Sequence, residues 1–320
     1  MRRPVFTTSI PLAWLLLTAA ATPGHSQQDT SWQIYLDRPA AVGDRCSVSS
    51  TGSQTRRLRT NLPGQMPEDS LDTLEISYAA TQEVLAVGKN GQPVHVRITV
   101  EKLETNDGSG PQQQFTPGTV LEATSEGDET HFHQGRDLLE GTLADALNLA
   151  GANLGSTNEP SEDAVFQNSQ PVRPGTKLPA DPRLLARAIT LTTPFMTHVS
   201  GTSGELFFDK ATICQDIPAL STESKFNIGL KGFKSSPDRE LKESFIRAVN
   251  TRVLPIDPSL PLLHETLETD MRISTCTEKE EEETKKAIEN GEDEEPGFTT
   301  VFHRKASREV KPLPPAGKPS

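Results

Sequence analysis

Two histidines separated by one residue are the first candidates for chemistry in this chain. His131 and His133 flank Phe132 in the stretch ETHFHQGRD, which begins with Glu129. Imidazole nitrogens bind zinc and copper, but such a site needs a third and often a fourth ligand from elsewhere in the chain. His95 is a further imidazole, and no sequence spacing places it beside the pair. The stretch is therefore either half of a metal site or the solvated face of a strand.

The period of a β-strand favours the second interpretation. Successive side chains in a strand point to opposite faces, so THFHQ directs Phe132 to one face and both histidines to the other. An aromatic ring between two polar side chains predicts that Phe132 is buried and that His131 and His133 are solvated. We therefore assign no metal ligand.

Other catalytic patterns are incomplete. Ser203 in GTSGE misses the Gly-x-Ser-x-Gly spacing of a nucleophile elbow. The glycine-containing stretches GKNG and NDGSG are typical of turns and do not open a helix, as a phosphate-binding loop must. A pair of catalytic carboxylates, as in a hydrolase, stays open because Asp and Glu are abundant. The sequence thus predicts no catalytic residue and no cofactor. Whether the protein is an enzyme stays undecided, and a protein without catalytic activity is the favoured answer.

The N-terminus resembles an export signal. Arg2 and Arg3 precede the apolar run PLAWLLLTAAA, and small and polar residues follow it. We expect cleavage near residue 26, which places the mature protein in the periplasm or the extracellular medium. No later stretch is long and apolar enough to predict an integral membrane span. An uncleaved N-terminal anchor is the alternative.

Charge limits the partners. The 320 residues carry a formal net charge of −12, and loss of Arg2 and Arg3 makes it −14. An acidic chain repels phosphate-rich surfaces, so nucleic acid and anionic lipid are not expected partners.

The three cysteines, Cys46, Cys214 and Cys276, match no zinc-binding spacing. Because three is odd, they form at most one bridge within the chain. Free thiols are the favoured interpretation, and a Cys214–Cys276 bridge is the alternative.

The apolar pattern predicts a mainly β fold. LEISYAATQEVLAV (74–87) and VHVRITVEKLE (94–104) flank a turn that contains Asn-Gly, which is typical of a β-hairpin. Strands follow strands without crossover helices, which favours antiparallel sheets over a parallel α/β sheet. In total we predict nine to eleven strands and two or three short helices, a β-rich α+β fold with curved antiparallel sheets in two halves.

The domain organisation follows from shifts in composition. We predict, in order, a signal peptide at 1–26, a first β-rich half at 27–152 with a helix near 137–150, a linker at 153–170, a second β-rich half at 171–312 and a disordered tail at 313–320. Glu and Lys spaced for a short exposed helix make 277–295 a solvated acidic excursion from a hairpin tip.

The order of these segments resembles a family of secreted bacterial proteins known only as a domain of unknown function. The resemblance covers most of the mature chain, and no matched motif is catalytic. It rests on VGDRCSVSS, ATQEVLAVGKNGQPVHVRITVEKLE, VRPGTKL, FFDKATICQ and VLPIDPSLPLLHETLETDMRIS. It implies an exported β-rich protein with two β-rich halves and without an agreed activity. The acidic segment and the opening of the second half, GTKLPAD, depart from the family pattern and leave the strand register of that half open.

We expect a non-catalytic protein that binds an apolar ligand or an envelope protein. Leu138, Leu139, Leu143 and Leu147 share one face of the predicted helix, where they either line a groove or close the core. A structural or surface-interaction module and an exported hydrolase are the alternatives.

Overall fold

The computed structural model describes most of the chain beyond the predicted signal peptide. The described residues are 30–61, 68–127, 129–155, 158–192, 196–233, 236–277, 279–283, 286 and 297–314. The predicted signal peptide and most of the predicted tail lie outside these residues. Ser31–Ser320 form one compact unit.

Fourteen strands make up the described part of the fold. In chain order they are β1 (Arg45–Asn61), β2 (Glu68–Val87), β3 (Pro93–Asn106), β4 (Gln112–Gln113), β5 (Thr119–Glu126), β6 (Glu129–Gln134), β7 (Asp137–Leu139), β8 (Lys177–Pro179), β9 (Met196–Cys214), β10 (Ile217–Phe233), β11 (Ser236–Glu240), β12 (Phe245–Pro255), β13 (His264–Ser274) and β14 (Gly297–Leu313). The helices are α1 (Thr142–Leu149), α2 (Glu162–Val165) and α3 (Pro182–Thr192), and residues 279–283 are also helical.

All these strands belong to one antiparallel sheet. Its order is β7-β6-β5-β3-β2-β1-β14-β13-β12-β10-β9-β8, with β4 beside β3 and β11 beside β10. β14 pairs with β1 over its whole length, from Arg45↔Leu313 to Asn61↔Gly297. The mainly β, antiparallel fold class is confirmed, and the two predicted halves share a single sheet through the β1–β14 pairing.

One face of the sheet, which we call the inner face, carries the apolar core. At the first-half end, Ile76, Tyr78 and Ile98 pack beneath α1. At the other end, Leu206 and Phe208 pack with α2 and α3; a third cluster surrounds Ile228 and Ile246. All three clusters lie on this face because apolar residues occupy alternate positions of each strand.

Local sequence patterns that predicted hairpins are confirmed. β2 and β3 flank the Gly88–Pro93 turn, in which Gly88 N donates to Gln92 O at 2.8 Å and Gly91 has a φ of 77°. β5 and β6 pair antiparallel up to Glu126↔Glu129, and Asp128 of the predicted Glu-Gly-Asp turn lies outside the described residues.

The helix predicted near 137–150 is shorter than its apolar spacing indicated. Asp137–Leu139 form β7, which pairs with β6 through Phe132↔Leu139. Gly141, with a φ of 62°, then precedes α1. A φ of 62° lies outside the helical range, and glycine adopts it at little steric cost, so the helix begins only at Thr142.

Several structured segments carried weak sequence signals. β1 contains few apolar residues, yet it lies between β2 and β14 near the middle of the sheet. Its Gly52 lets Leu149 approach, since an added Cβ would lie 2.8 Å from the Leu149 Cγ. Residues 153–170, predicted as a linker, include α2 and the buried Val165 and Phe166. The short strands β4, β7, β8 and β11 raise the number above the nine to eleven predicted, because two to five residues show no clear period.

The acidic segment predicted to be solvated makes buried contacts. The Thr277 hydroxyl accepts from Glu280 N at 3.2 Å, while the Glu280 carboxylate accepts from Thr277 N at 2.7 Å, so the pair forms a capping box at the start of the 279–283 helix. Glu281 then accepts hydrogen bonds from Arg272 and Thr299 on the sheet. The predicted excursion is therefore packed against the sheet at Glu281.

Cys46, Cys214 and Cys276 carry free thiols in this structure. Among the described residues, none of the helices has the length and apolar character needed to cross a membrane.

Candidate ligand-binding cavities on the inner face

The histidine pair lies where the strand period predicted. Phe132 is 1% exposed, and His131 and His133 are half-buried on the opposite face. His131 Nε2 lies 4.0 Å from Glu129 Oε2, and His133 is the cross-strand neighbour of Glu122. Within the described ranges, no cluster of three or more His, Cys, Asp or Glu side chains is arranged to hold a metal ion.

The other candidate residues named from the sequence lie on strands or in the apolar core. Ser203 lies inside β9, without the strand-to-helix turn of a nucleophile elbow. His95 Nε2 pairs with Glu122 Oε2 at 3.0 Å. Leu147 is fully buried in the core, whereas Leu138 is 44% exposed on β7. The leucines therefore do not share one groove, and α1 closes the core.

The inner face carries a row of charged side chains between the apolar clusters. Arg308 on β14, Glu265 on β13 and Arg252 on β12 are direct cross-strand neighbours. Arg308 Nη2 donates to Glu265 Oε2 at 2.8 Å, and Arg252 Nε donates to Glu265 Oε1 at 3.0 Å. Their side chains are 25%, 20% and 17% exposed, respectively. Opposite charges in register on one face stabilise this part of the sheet.

Two chain segments, one just beyond α1 and one at the start of α2, cover the ends of this row. Arg308 Nη1 donates to the Gly151 carbonyl at 2.7 Å, just beyond α1. Arg252 donates twice to the carboxylate of Glu162 at the start of α2, and one of these bonds, from Nη2, is 2.9 Å long. Asn250 Nδ2 adds a 2.9 Å bond to Glu265 Oε1. The charged row thus connects the sheet to the chain segments that lie over it.

A third guanidinium group, that of Arg304, lies on the same face of β14, four residues before Arg308. Arg304 Nη2 donates to the Asn148 carbonyl in the last turn of α1 at 2.6 Å. Arg304, Arg308, Arg252, Glu265 and Asn250 line a cavity of about 300 Å³, which we call the charged cavity.

Burial and charge act in opposite directions in this cavity. Burial alone would raise the pKa of Glu265, but the guanidinium groups of Arg308 and Arg252 lower it to about 2. Burial would lower the pKa of Arg252, and the carboxylates of Glu162 and Glu265 raise it above its ordinary value. For Arg304, burial prevails and lowers the pKa, although Glu265 acts in the opposite direction. Arg304 is therefore the least compensated cation of the three.

A second cavity, of about 400 Å³, adjoins the first. Gly151, Asn153 and Arg308 line both cavities. Apolar side chains, among them Val84 and Leu262, contribute to the wall beside polar groups. We call it the mixed cavity. The Cys46 thiol also lines it, and burial raises the pKa of that thiol to about 11.

Sequence reasoning missed this charged row because its members come from distant strands. Arg304 and Arg308 alternate with outward residues in FHRKASREV, but this pattern does not identify the strands that pair with β14. Glu265 lies 43 positions from Arg308. An inward-facing charge flanked by apolar residues on the same strand is the signal that would have indicated it.

Comparison with known proteins does not extend this description. No protein-family model matches the chain, and no curated protein matches it. The fold and cavities define a mainly β protein with an antiparallel sheet and two adjoining cavities on one face. The resemblance to secreted bacterial β-rich proteins stays a prediction.

Proposed function

We propose that the protein is a non-catalytic binding protein that holds the apolar part of a small ligand in the mixed cavity. The observation that carries the proposal is the pair of adjoining cavities on the inner face, of about 400 and 300 Å³. Small-molecule sites commonly have volumes of a few hundred Å³ and combine apolar walls with a few polar groups.

The walls of the mixed cavity support an apolar occupant. Val96 is 5% exposed and Val84 packs at the edge of the same core cluster, so this wall is backed by well-packed side chains. Leu154, Leu260 and Leu262 contribute further apolar surface. Contact with an alkyl chain or ring would remove this surface from water, which is favourable in proportion to its area.

Export is the second part of the proposal. The positive n-region and apolar run favour a cleaved signal, and the protein would then act in the periplasm or the extracellular medium. N-terminal mapping of exported protein should find a first residue between Thr22 and Asp29. Retention of Met1 in the exported form would contradict this part.

Binding is tested with the purified full chain. Organic extraction followed by mass spectrometry should release a molecule with an apolar chain or ring. After extraction, the environment-sensitive fluorophore N-phenyl-1-naphthylamine should bind saturably, because its rings prefer apolar surroundings. Absence of both an extracted molecule and saturable binding would overturn the proposal.

A matched pair of variants on β2 locates the binding. Val84→Phe places a larger side chain in the wall of the mixed cavity and should lower the affinity of the fluorophore. Val87→Phe is the control, since Val87 is 36% exposed at the end of the same strand and does not line the cavity. Equal loss of affinity in both variants would indicate that binding occurs elsewhere.

A further inference from the structure

The charged cavity holds more positive than negative charge. Arg252, Arg304 and Arg308 meet two carboxylates, Glu162 and Glu265, which leaves one positive charge in excess. The chain as a whole carries −12, so the excess is local. Charges held in a partly buried cleft are screened less by solvent than exposed charges. This position therefore favours an anion.

Arg304 is the source of the excess. Among the described residues, no carboxylate oxygen lies within 4.0 Å of its guanidinium nitrogens. The Asn148 carbonyl takes one of its five N–H donors, as expected for a cation at a helix C-terminus. Its Nε is buried without a hydrogen-bond partner in the described structure. Capping of α1 thus uses only part of the capacity of this side chain.

We propose that the charged cavity binds the carboxylate of an amphipathic ligand whose apolar part occupies the mixed cavity. This inference rests on the proposed function, because the same ligand would extend across both cavities. Gly151, Asn153 and Arg308 line both, so a carboxylate near Arg304 would lie next to the apolar walls. A planar guanidinium group suits a carboxylate, since two parallel N–H groups match its two oxygens.

The test compares two probes of equal chain length, decanoate and 1-decanol, with the purified full chain after organic extraction. Isothermal titration at pH 8 measures both affinities. A charge-assisted hydrogen bond to the carboxylate should make decanoate bind about tenfold or more tightly than 1-decanol. This comparison needs no variant and therefore does not depend on whether a variant folds.

Variants on β14 assign the preference to Arg304. Arg304→Gln should reduce the affinity for decanoate about tenfold and leave the affinity for 1-decanol unchanged, whereas Arg304→Lys should keep most of the preference because the charge remains. The control is Lys305→Gln, because Lys305 lies on the outer face of the same strand, is 58% exposed and pairs only with Glu268 among the described carboxylates. It should leave both affinities unchanged.

The outcomes separate this inference from the proposed function. Equal binding of decanoate and 1-decanol in the wild type would overturn the carboxylate site and leave the apolar cavity supported. A preference for decanoate that persists in Arg304→Gln would overturn the role of Arg304. Failure of both probes to bind would overturn this inference, whereas the proposed function is overturned only if the fluorophore also fails to bind and extraction releases no apolar molecule.

Discussion

Replacement of Glu281 by Gln should destabilise the fold although Glu281 lies in an acidic, mostly polar segment. Glu281 Oε1 accepts from Arg272 Nη2 at 2.5 Å, from Thr299 Oγ1 at 2.5 Å and from Ser274 Oγ at 3.2 Å. The side chain of Arg272 is 9% exposed and that of Glu281 is 15% exposed. The substitution keeps the shape of the side chain and leaves the guanidinium group of Arg272 buried without its carboxylate.

The magnitude follows from that burial. Removal of one partner of a buried ion pair costs about 3–5 kcal/mol, because the remaining charge has lost both water and its counterion. Gln keeps an acceptor oxygen for the hydroxyl donors, so we expect a loss of about 3 kcal/mol in the free energy of unfolding. Urea titration followed by far-UV circular dichroism measures it, and an unchanged slope against urea would show that the unfolded state is unaffected.

The same helix offers a control. Lys279 Nζ and Glu283 Oε1 lie 3.4 Å apart with side chains 85% and 63% exposed. Exposed pairs of this kind contribute about 0–1 kcal/mol, so Glu283→Gln should change the free energy of unfolding little. If Glu281→Gln and Glu283→Gln had the same small effect, the argument that 279–283 packs against the sheet would be refuted.

Three further predictions concern other parts of the sheet. Phe132→Ala should lower the free energy of unfolding by about 3 kcal/mol or more, because this ring is buried. The double variant His131→Thr, His133→Thr should change it by no more than about 0.5 kcal/mol. Similar losses for both variants in denaturant titrations would contradict the assigned faces. Burial raises the pKa of the Cys46 thiol from 9.0 to about 11, so less of it is thiolate at pH 8. In a variant whose other two cysteines are Ser, Cys46 should react with iodoacetamide at pH 8 about 100-fold more slowly than a peptide thiol. An equal rate would show that Cys46 is not buried. Burial and then the charge of Glu162 raise the pKa of Asp37 from 3.8 to about 6. Between about pH 4 and about pH 6 the folded state therefore binds more protons at this carboxyl than the unfolded state does. As the pH rises through this range, the group lowers the free energy of unfolding by at most about 3 kcal/mol. Asp37→Asn should flatten that part of the stability profile, and an unchanged pH dependence would exclude Asp37 as its source.

Local patterns carried most of what the sequence predicted. The β2–β3 and β5–β6 hairpins were predicted because each strand contains its own alternation and each turn has its own glycine. Phe132 was placed inward for the same reason. These features depend on a few neighbouring residues, so one sequence is enough to identify them.

Features that depend on distant pairing were not predictable in this way. β1 has Ser, Thr and Arg at most positions, and its central place follows from its neighbours β2 and β14. The partner of β14 in the first half lies more than two hundred residues away, so no local signal indicates the pairing. The packing of Glu281 was missed for a similar reason, since Arg272 and Thr299 come from strands on either side of the segment.

The charged row is a further feature that depends on distant pairing, because the pairing of β14 with its neighbours places charged side chains between two apolar clusters. At the level of Arg308, Glu265 and Arg252, the neighbouring rows of the inner face carry Val310, Leu254 and other apolar side chains. Burial of charged groups is costly, and apolar residues of similar size are often as stable or more stable. Stability alone therefore does not account for three guanidinium groups and two carboxylates beside two cavities. The proposed carboxylate site accounts for the uncompensated charge of Arg304, and the remaining ion pairs hold the walls of the cavity at the positions from which Arg304 and Arg308 face it.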